Sequence, residues 1–312
     1  SASLSVPLGK VRVFTSLAWD NRRSFSGGTV ERNFRFPDTT YIQRHWSYGT
    51  NLGGGPNARF GVDIPLGKQW SANLSVGLNQ DQRSESDTTS YENSAAALKL
   101  NAVQRSTSDR SSINGDGALR LERKYKTEGN KWTVDLNYSD RSRSEWNDNT
   151  FTADAGYPEI LTYGGVYLQR FETSETTQNW NFQTDAEQVL NSKSKITLGG
   201  RSTYFARDNR RDAMYLATIF SSSLLEDTLR TQSVDQSQWV HALYATYGYV
   251  FSPKWKAQAG MRYEVANLEF TLKSNSVLHF TYPGYFPSAF LTYSPKKGLE
   301  FQASYAMRVN RP

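Results

Sequence analysis

Residues 70–79, WSANLSVGLN, decide the fold of this chain. Trp70, Leu74 and Leu78 fall on even positions together with Ala72 and Val76, whereas the odd positions carry serine, asparagine or glycine. Successive side chains of a β-strand point to opposite faces, so this segment predicts a strand with one apolar face and one polar face.

The same alternation recurs along the chain in pairs of segments that are joined by short turns. Proline, glycine, asparagine and serine supply the chemistry of these turns. The predicted strand at about 239–250 is aromatic on both faces, so its orientation stays open. The sequence predicts about twelve strands and six short turns, at 7–10, 65–68, 126–131, 191–194, 252–254 and 294–298.

Long polar segments join the other ends of the predicted strands. We expect them to be mainly loops, although residues 40–48 have strand character. Structureless loops longer than about 15 residues are uncommon in compact soluble domains, whereas short periplasmic turns and long external loops are typical of membrane β-barrels. The sequence therefore predicts an all-β protein, an antiparallel transmembrane β-barrel. The segments are 23–55, 81–112, 143–175, 209–235 and 266–284.

Composition narrows the class further. The 312 residues include no cysteine, which excludes disulfides and the usual zinc clusters. No run approaches the ~20 apolar residues of a transmembrane helix, while 18 tyrosines, 16 phenylalanines and 8 tryptophans suit the aromatic belts of a barrel.

The net charge of +6 arises from basic residues scattered among acidic ones, so we expect no nucleic-acid partner. Neither a phosphate loop nor a calcium loop is present, so we expect no cofactor and no metal.

Charged residues on one face of the predicted strands indicate a water-filled or plugged interior. We expect opposite charges on neighbouring strands to pair with one another on this face of the sheet. Arginines at the outer strand ends, among them Arg207, Arg210 and Arg211, stand beside aspartates, so we interpret them as solvated charge in preference to contacts with lipopolysaccharide. The candidates that face a plug or a cargo are Asp116, Arg120, Glu122, Asp135, Arg201, Arg262 and Glu264.

Aromatic residues fall into two groups. Tryptophans at strand ends are interpreted as interfacial belts in preference to ligand platforms, because three of them directly follow a short turn. Aromatic residues of the long polar segments are the better candidates for contact with a cargo. The belt candidates are Trp19, Trp70, Trp132, Trp180 and Trp255, and the loop candidates are Trp46, Tyr48, Trp146 and Tyr163.

Three segments in the last third of the chain resemble a known family. Residues 255–264, WKAQAGMRYE, are similar to the "aGlRyE" strand of TonB-dependent outer-membrane receptors. Residues 285–288, YFPS, are similar to their "yfPs" element, and residues 304–312, SYAMRVNRP, to their "sYsrRinRP" signature. The order of the three segments also matches. The chain thus resembles the "outer membrane protein β-barrel" subfamily of these receptors, which is related to the SusC-like transporters.

The resemblance implies a receptor of the Gram-negative bacterial outer membrane that imports a scarce, large nutrient such as a metal chelate, a glycan or a peptide. It implies a 22-stranded barrel, of which residues 1–312 would form part, with the plug domain and the C-terminal strands outside the chain. The implied partners are outer-membrane lipid and lipopolysaccharide, the TonB complex acting through a plug, and a surface lipoprotein.

Four alternatives stay open. A soluble β-sheet protein is one of them, but it explains the asymmetry of short turns and long segments poorly. The chain could close as a smaller barrel of twelve strands. It could be a non-transporting barrel that anchors or docks a surface protein complex. A hydrolase at the barrel rim would need His241, but no set of nucleophile, base and orienting group is readable from the sequence, so we expect no enzymatic activity.

Overall fold

A computed structural model of the chain describes residues 1–35, 40–95, 98–154, 168–216, 223–274 and 276–309, and none of these residues is helical. In the described ranges, no helix is long and apolar enough to cross a bilayer. The strands are β1 (Ala2–Leu8), β2 (Val11–Arg35), β3 (Thr40–Leu66), β4 (Trp70–Ala95), β5 (Leu98–Lys124), β6 (Lys131–Ala153), β7 (Leu168–Asn191), β8 (Ser194–Leu216), β9 (Leu225–Glu226), β10 (Gln232–Ser252), β11 (Trp255–Leu272), β12 (Val277–Lys296) and β13 (Leu299–Ala306).

The strands form one antiparallel sheet in which neighbours along the chain are neighbours in space. The exception is β9, a strand of two residues that pairs with β8 beside the main path, so that β10 is the next full partner of β8. β1 and β13 lie at the two ends of this order. The all-β antiparallel prediction with about twelve strands is confirmed, and β9 is an addition to it.

The six short turns lie where the sequence predicts them and join β1 to β2, β3 to β4, β5 to β6, β7 to β8, β10 to β11 and β12 to β13. Gly9, Gly67, Gly129 and Gly298 adopt left-handed φ angles of 64°, 86°, 85° and 83° in four of these turns. Glycine takes this conformation without the steric penalty of a Cβ atom. Local turn chemistry therefore fixes this end of the sheet.

The opposite ends of the strands differ from the prediction. β2, β3, β4 and β5 contain 25, 27, 26 and 27 residues, so most residues predicted as long loops are paired strand and that prediction was wrong for them. Since a tilted crossing takes only about 9–11 residues, the ladder continues far beyond a membrane. Beyond the membrane the alternation of apolar and polar residues disappears, because both faces of the sheet contact water. Backbone pairing does not need this alternation and continues.

The pairing register sorts the side chains into two faces. We call the side of the sheet that carries Leu74 the apolar face and the side that carries Asn73 the polar face. Directly paired residues point to the same side, which also settles the orientation of β10: Trp239 and Leu243 share the apolar face, whereas Ala242 lies on the polar face. One row of paired residues on the apolar face crosses seven strands and consists of Val6, Val13, Val62, Leu74, Leu119, Leu136 and Phe182.

Burial is inverted relative to a soluble sheet. On the apolar face Val76 is 48% exposed, whereas Ala266 on the polar face is 0% exposed. A soluble antiparallel sheet packs its apolar face on a core and leaves its polar face in water. Here buried residues lie on the polar face, as they do in the interior of a barrel, and the apolar face needs lipid to cover it.

This inversion predicts the effect of one charge on each face. We expect Val76→Arg to lower the free energy of unfolding by about 2–4 kcal/mol in lipid vesicles, because it places a guanidinium in hydrocarbon. The neighbouring Ser75→Arg, on the polar face, is the matched control and should have a much smaller effect. Urea unfolding of both variants in vesicles measures the difference. A soluble sheet would tolerate an exposed arginine at Val76 within about 0.5 kcal/mol, so a near-zero change at Val76 would contradict the assignment.

Candidate ligand-binding face

Polar-face side chains meet across glycines in the membrane-spanning part of the wall. Arg59 Nη2 lies 3.1 Å from Asp116 Oδ2, although β4 runs between their strands. Gly77 stands directly opposite both residues. A Cβ atom on Gly77 would lie 2.3 Å from Asp116 Oδ1, so the missing side chain provides the space for this ion pair.

A second contact of this kind joins β7 and β10 across β8. Tyr244 Oη donates a hydrogen bond of 2.5 Å to Asp185 Oδ1 above Gly199. The Arg262 guanidinium carbon lies 5.7 Å from the centroid of the Tyr244 ring. Arg262 Nε and Nη2 donate to Glu264 Oε2 at 2.8 and 2.5 Å. Glu264 is only 5% exposed, and a buried carboxylate requires such partners.

All seven charged candidates lie on the polar face of their strands. The structure brings Arg120 and Asp135 within 3.7 Å and joins Arg262 to Glu264. The other three bond to residues outside the candidate set: Asp116 to Arg59, Glu122 to Lys124 at 3.3 Å, and Arg201 to Asn181 at 2.7 Å. Arg59 was missed because its partner lies two strands away, and only the register shows that. Contact of these residues with a plug or cargo stays a prediction.

The belt tryptophans lie on the apolar face in two rows. Near the short turns, the ring centroids of Trp70 and Trp132 are 5.8 Å apart, and those of Trp255 and Tyr293 are 4.2 Å apart. Farther along the strands, Trp180 packs on Tyr138 with centroids 4.3 Å apart, and Trp19 is exposed. The assignment of the tryptophans to the membrane interfaces stays a prediction.

The aromatic residues predicted to lie in loops are in strands instead. Trp46 and Tyr48 belong to β3 and Trp146 belongs to β6, and all three are exposed on the same side as the apolar face. Tyr163 lies outside the described residues. Their placement in loops was wrong because the strand halves farther from the short turns are polar and show no alternation of apolar and polar residues. We call this part of the sheet the outer half.

In the outer half of the sheet, an arginine and glutamate network covers the polar face. Glu145 Oε2 accepts a hydrogen bond of 3.0 Å from Arg110 Nε and a second one from Arg143 Nη2. Arg207 Nη2 donates at 2.6 Å to Glu175 Oε2 on the next strand. Burial raises the pKa of Glu145, but the hydrogen bonds from Arg143 and Arg110 outweigh it and hold that pKa below its usual value near 4.5. The network therefore stays ionised at neutral pH.

Two open cavities lie on opposite sides of this outer half. The polar-face cavity has a volume of about 490 Å³, and Arg143, Asn147, Phe171 and Arg211 contribute to its lining. The apolar-side cavity has a volume of about 1010 Å³, and its lining includes Trp19, Trp146 and Arg170. Arg170 is held there by hydrogen bonds of 2.7 and 2.6 Å from its Nε and Nη2 to the Asp148 carboxylate.

The histidine of the hydrolase alternative forms one notable contact. Ser202 Oγ lies 2.9 Å from His241 Nδ1 on the exposed apolar face, and Trp239 stacks on the imidazole. In the described part of the chain, no carboxylate hydrogen-bonds this ring, so a serine and a histidine meet without an orienting acid. The described residues also contain no cluster of three side chains suited to a metal.

Residues 123–312 match the family described as the Outer membrane protein beta-barrel family. The chain belongs to this family. Membership makes it an outer-membrane protein and agrees with the exposed apolar face. No curated protein matches the chain.

Solved structures of outer-membrane proteins are similar to this family member at low identity. The ferric citrate transporter FecA in its unliganded form has a TM-score of 0.49 and 11% identity over 85% of this chain and 43% of its own. The siderophore receptor PiuA from Acinetobacter baumannii has a TM-score of 0.42 and 12% identity over 90% and 48%. The translocator domain of the autotransporter NalP from Neisseria meningitidis has a TM-score of 0.29 and 10% identity over 96% and 82%. The chain thus spans less than half the length of the first two proteins.

The glycine in the wall of β8 gives a testable prediction. A Cβ on Gly199 would lie 2.3 Å from Cε2 of the Tyr244 ring, so Gly199→Val must displace that ring and break its bond to Asp185. Overpacking of this kind costs about 1–3 kcal/mol. Gly117→Val is the control, because a Cβ on Gly117 meets nothing within 4 Å. Urea unfolding should show destabilisation for Gly199→Val alone, and equal effects of the two variants would contradict the contact.

The Glu145 network predicts a pH dependence. Because the pKa of Glu145 is lowered in the folded protein, its stabilisation is complete above the usual value and is lost as the pH falls through the lowered pKa. We expect Glu145→Gln to reduce the free energy of unfolding at pH 7 by about 1.5–3 kcal/mol. The difference from the wild type should shrink as the pH falls below about 4.5. Glu128→Gln, in an exposed turn, is the control, and a difference that persists unchanged at pH 3 would refute the assignment.

Proposed function

We propose that this chain forms the wall of a TonB-dependent receptor that imports a scarce, large nutrient across the outer membrane. The observation that carries the proposal is the continuity of the polar face. It runs from the paired charges at membrane level, such as Arg59 and Asp116, to the cavity of the outer half, which is lined by charged and amide side chains. A wall that only anchors the protein would need no charged interior surface.

The sequence resemblance supports the finer parts of the proposal. The segments at 255–264, 285–288 and 304–312 are similar to the receptor motifs, so residues 1–312 would contribute part of a 22-stranded barrel that surrounds a plug. Energy would come from the TonB complex acting on that plug. Relation to the SusC-like transporters would add a surface lipoprotein that captures the nutrient, a metal chelate, a glycan or a peptide.

In this function the chain binds and guides a ligand and catalyses no reaction. Charged side chains of the wall, such as Arg120 and Asp135, would exchange their mutual contacts for contacts with a plug or a cargo. Ion pairs between partly exposed residues contribute only about 0–1 kcal/mol, so the exchange would be nearly balanced in free energy. Ser202 and His241 lie on the opposite, lipid-side face and have no part in this path.

The second candidate function is a non-transporting barrel that docks a surface protein complex. It is favoured by the apolar-side cavity of about 1010 Å³ and by Trp46, Tyr48 and Trp146, which are exposed on that side of the outer half. Such aromatic residues are typical anchors of protein interfaces.

Two adjacent residues of β6 separate the candidates, because Asn147 lines the polar-face cavity and Trp146 the apolar-side cavity. We expect Asn147→Trp, which fills the first cavity, to reduce uptake of the imported nutrient at least about tenfold, and Trp146→Ala to leave uptake nearly unchanged. Growth of a gene-deletion strain complemented with each variant, on metal chelates, oligosaccharides and peptides, measures uptake with and without TonB.

Uptake that continues unchanged without TonB would refute the receptor proposal. Loss of a co-purifying surface complex on Trp146→Ala, with unchanged growth on every nutrient, would establish the docking function instead. Heat-modifiable migration of each variant on gels serves as the control for folding.

A further inference from the structure

We infer that the polar-face cavity of the outer half binds an oxyanion, a carboxylate or phosphate group of the ligand, and that Arg211 is its principal contact. The inference deepens the proposed function and rests on it, because it takes the polar face as the path of the ligand. Arg211, Arg143 and Phe171 contribute to the lining of this cavity of about 490 Å³.

The cavity lining contains two arginines, Arg143 and Arg211, and two carboxylates, Glu145 and Glu175. Both carboxylates are already paired with arginines other than Arg211. Glu145 is shared between Arg110 and Arg143, and Glu175 is paired with Arg207 on the next strand. The charge of Arg211 is therefore available to an anion.

Arg211 is the cation of this cavity that is best placed to bind an anion. In the described part of the chain it forms no ion pair, and its side chain is exposed. Its guanidinium carbon lies 4.2 Å from the centroid of the Phe171 ring. Stacking on a ring orients the planar fork while leaving its N–H groups free, and this fork matches the two oxygens of a carboxylate or phosphate.

Neutral polar groups also line the cavity. Asn147, Asn149 and Asn209 contribute amide groups beside Arg143 and Arg211. Two of the lining atoms, Arg143 Nε and Asn209 Oδ1, are buried without a hydrogen-bond partner among the described residues. Unsatisfied polar atoms of this kind are rare in native structures, and a bound anion that draws the Arg143 fork towards it would let these side chains rearrange into full pairing.

The neighbouring Arg210 is a matched control. It lies on the other face of β8, where its Nε donates at 2.9 Å to Asp212 Oδ2. Arg210→Gln and Arg211→Gln therefore remove the same charge from adjacent positions on opposite sides of the wall. Only the second change alters the cavity.

The test is isothermal titration calorimetry of the protein in lipid nanodiscs with inorganic pyrophosphate and with succinate, at constant ionic strength set by sodium chloride. We expect one of the two anions to bind the wild type, which identifies phosphate or carboxylate as the recognised group. Arg211→Gln should weaken that binding at least about tenfold, because it removes a bidentate charge-assisted contact. The affinity of Arg211→Lys should lie between those of the wild type and Arg211→Gln. The affinity of Arg210→Gln should stay within about twofold of the wild type.

A second variant guards against loss of folding as the cause. Phe171→Leu keeps every charge but removes the ring under Arg211, so it should weaken binding by a smaller factor at unchanged unfolding temperature. Absence of binding by both anions, or equal weakening by Arg210→Gln and Arg211→Gln, would overturn the inference. Binding is read without TonB or transport, so a failure of import in the uptake experiment would refute the receptor function and leave this result standing.

Discussion

Inside a bilayer a backbone amide finds no water to replace a missing partner, so every N–H and C=O group in the spanning segment must be paired within the protein. The antiparallel ladder from β1 to β13 meets this requirement strand by strand. The alternation of side chains follows from it, because a pleated strand presents its residues to two sides in turn. The apolar row from Val6 to Phe182 and the charged polar face are therefore two consequences of one backbone arrangement.

Charged side chains on the polar face need partners because they lie in a confined interior. Some of them reach a partner that is two strands away. Gly77 lets Arg59 reach Asp116, and Gly199 lets Tyr244 reach Asp185. A glycine in a strand normally weakens it by its conformational freedom. Here each glycine makes room for a contact that joins side chains of two strands across a third.

Charged side chains in the outer half of the sheet are freer to bind a ligand than those at membrane level. At membrane level, charges such as Arg262 and Glu264 are paired on their own strand and have a structural role. Beyond the second aromatic row the strands continue in water, where pairing is not needed for solubility and a free guanidinium is tolerated. Arg211, stacked on Phe171, is such a group, and this is why the outer half is the part of the wall suited to meet a ligand.

The sequence by itself determined the all-β antiparallel fold, the six short turns and the face to which Asp116, Arg120 and Glu122 belong, because turn chemistry and a period of two are local properties. It could not determine the length of β2 to β5, since strands with water on both sides lose the alternation that reveals them. It paired Arg120 with no particular residue and overlooked Arg59, because partners in a sheet are set by register between distant segments. Only the tertiary structure showed that residues 210 and 211 lie in a strand, which places Arg210 and Arg211 on opposite faces with different partners. It also brought Arg143, Phe171 and Arg211 to one cavity from three strands, because contacts across a sheet are set by the register between segments that are distant in sequence.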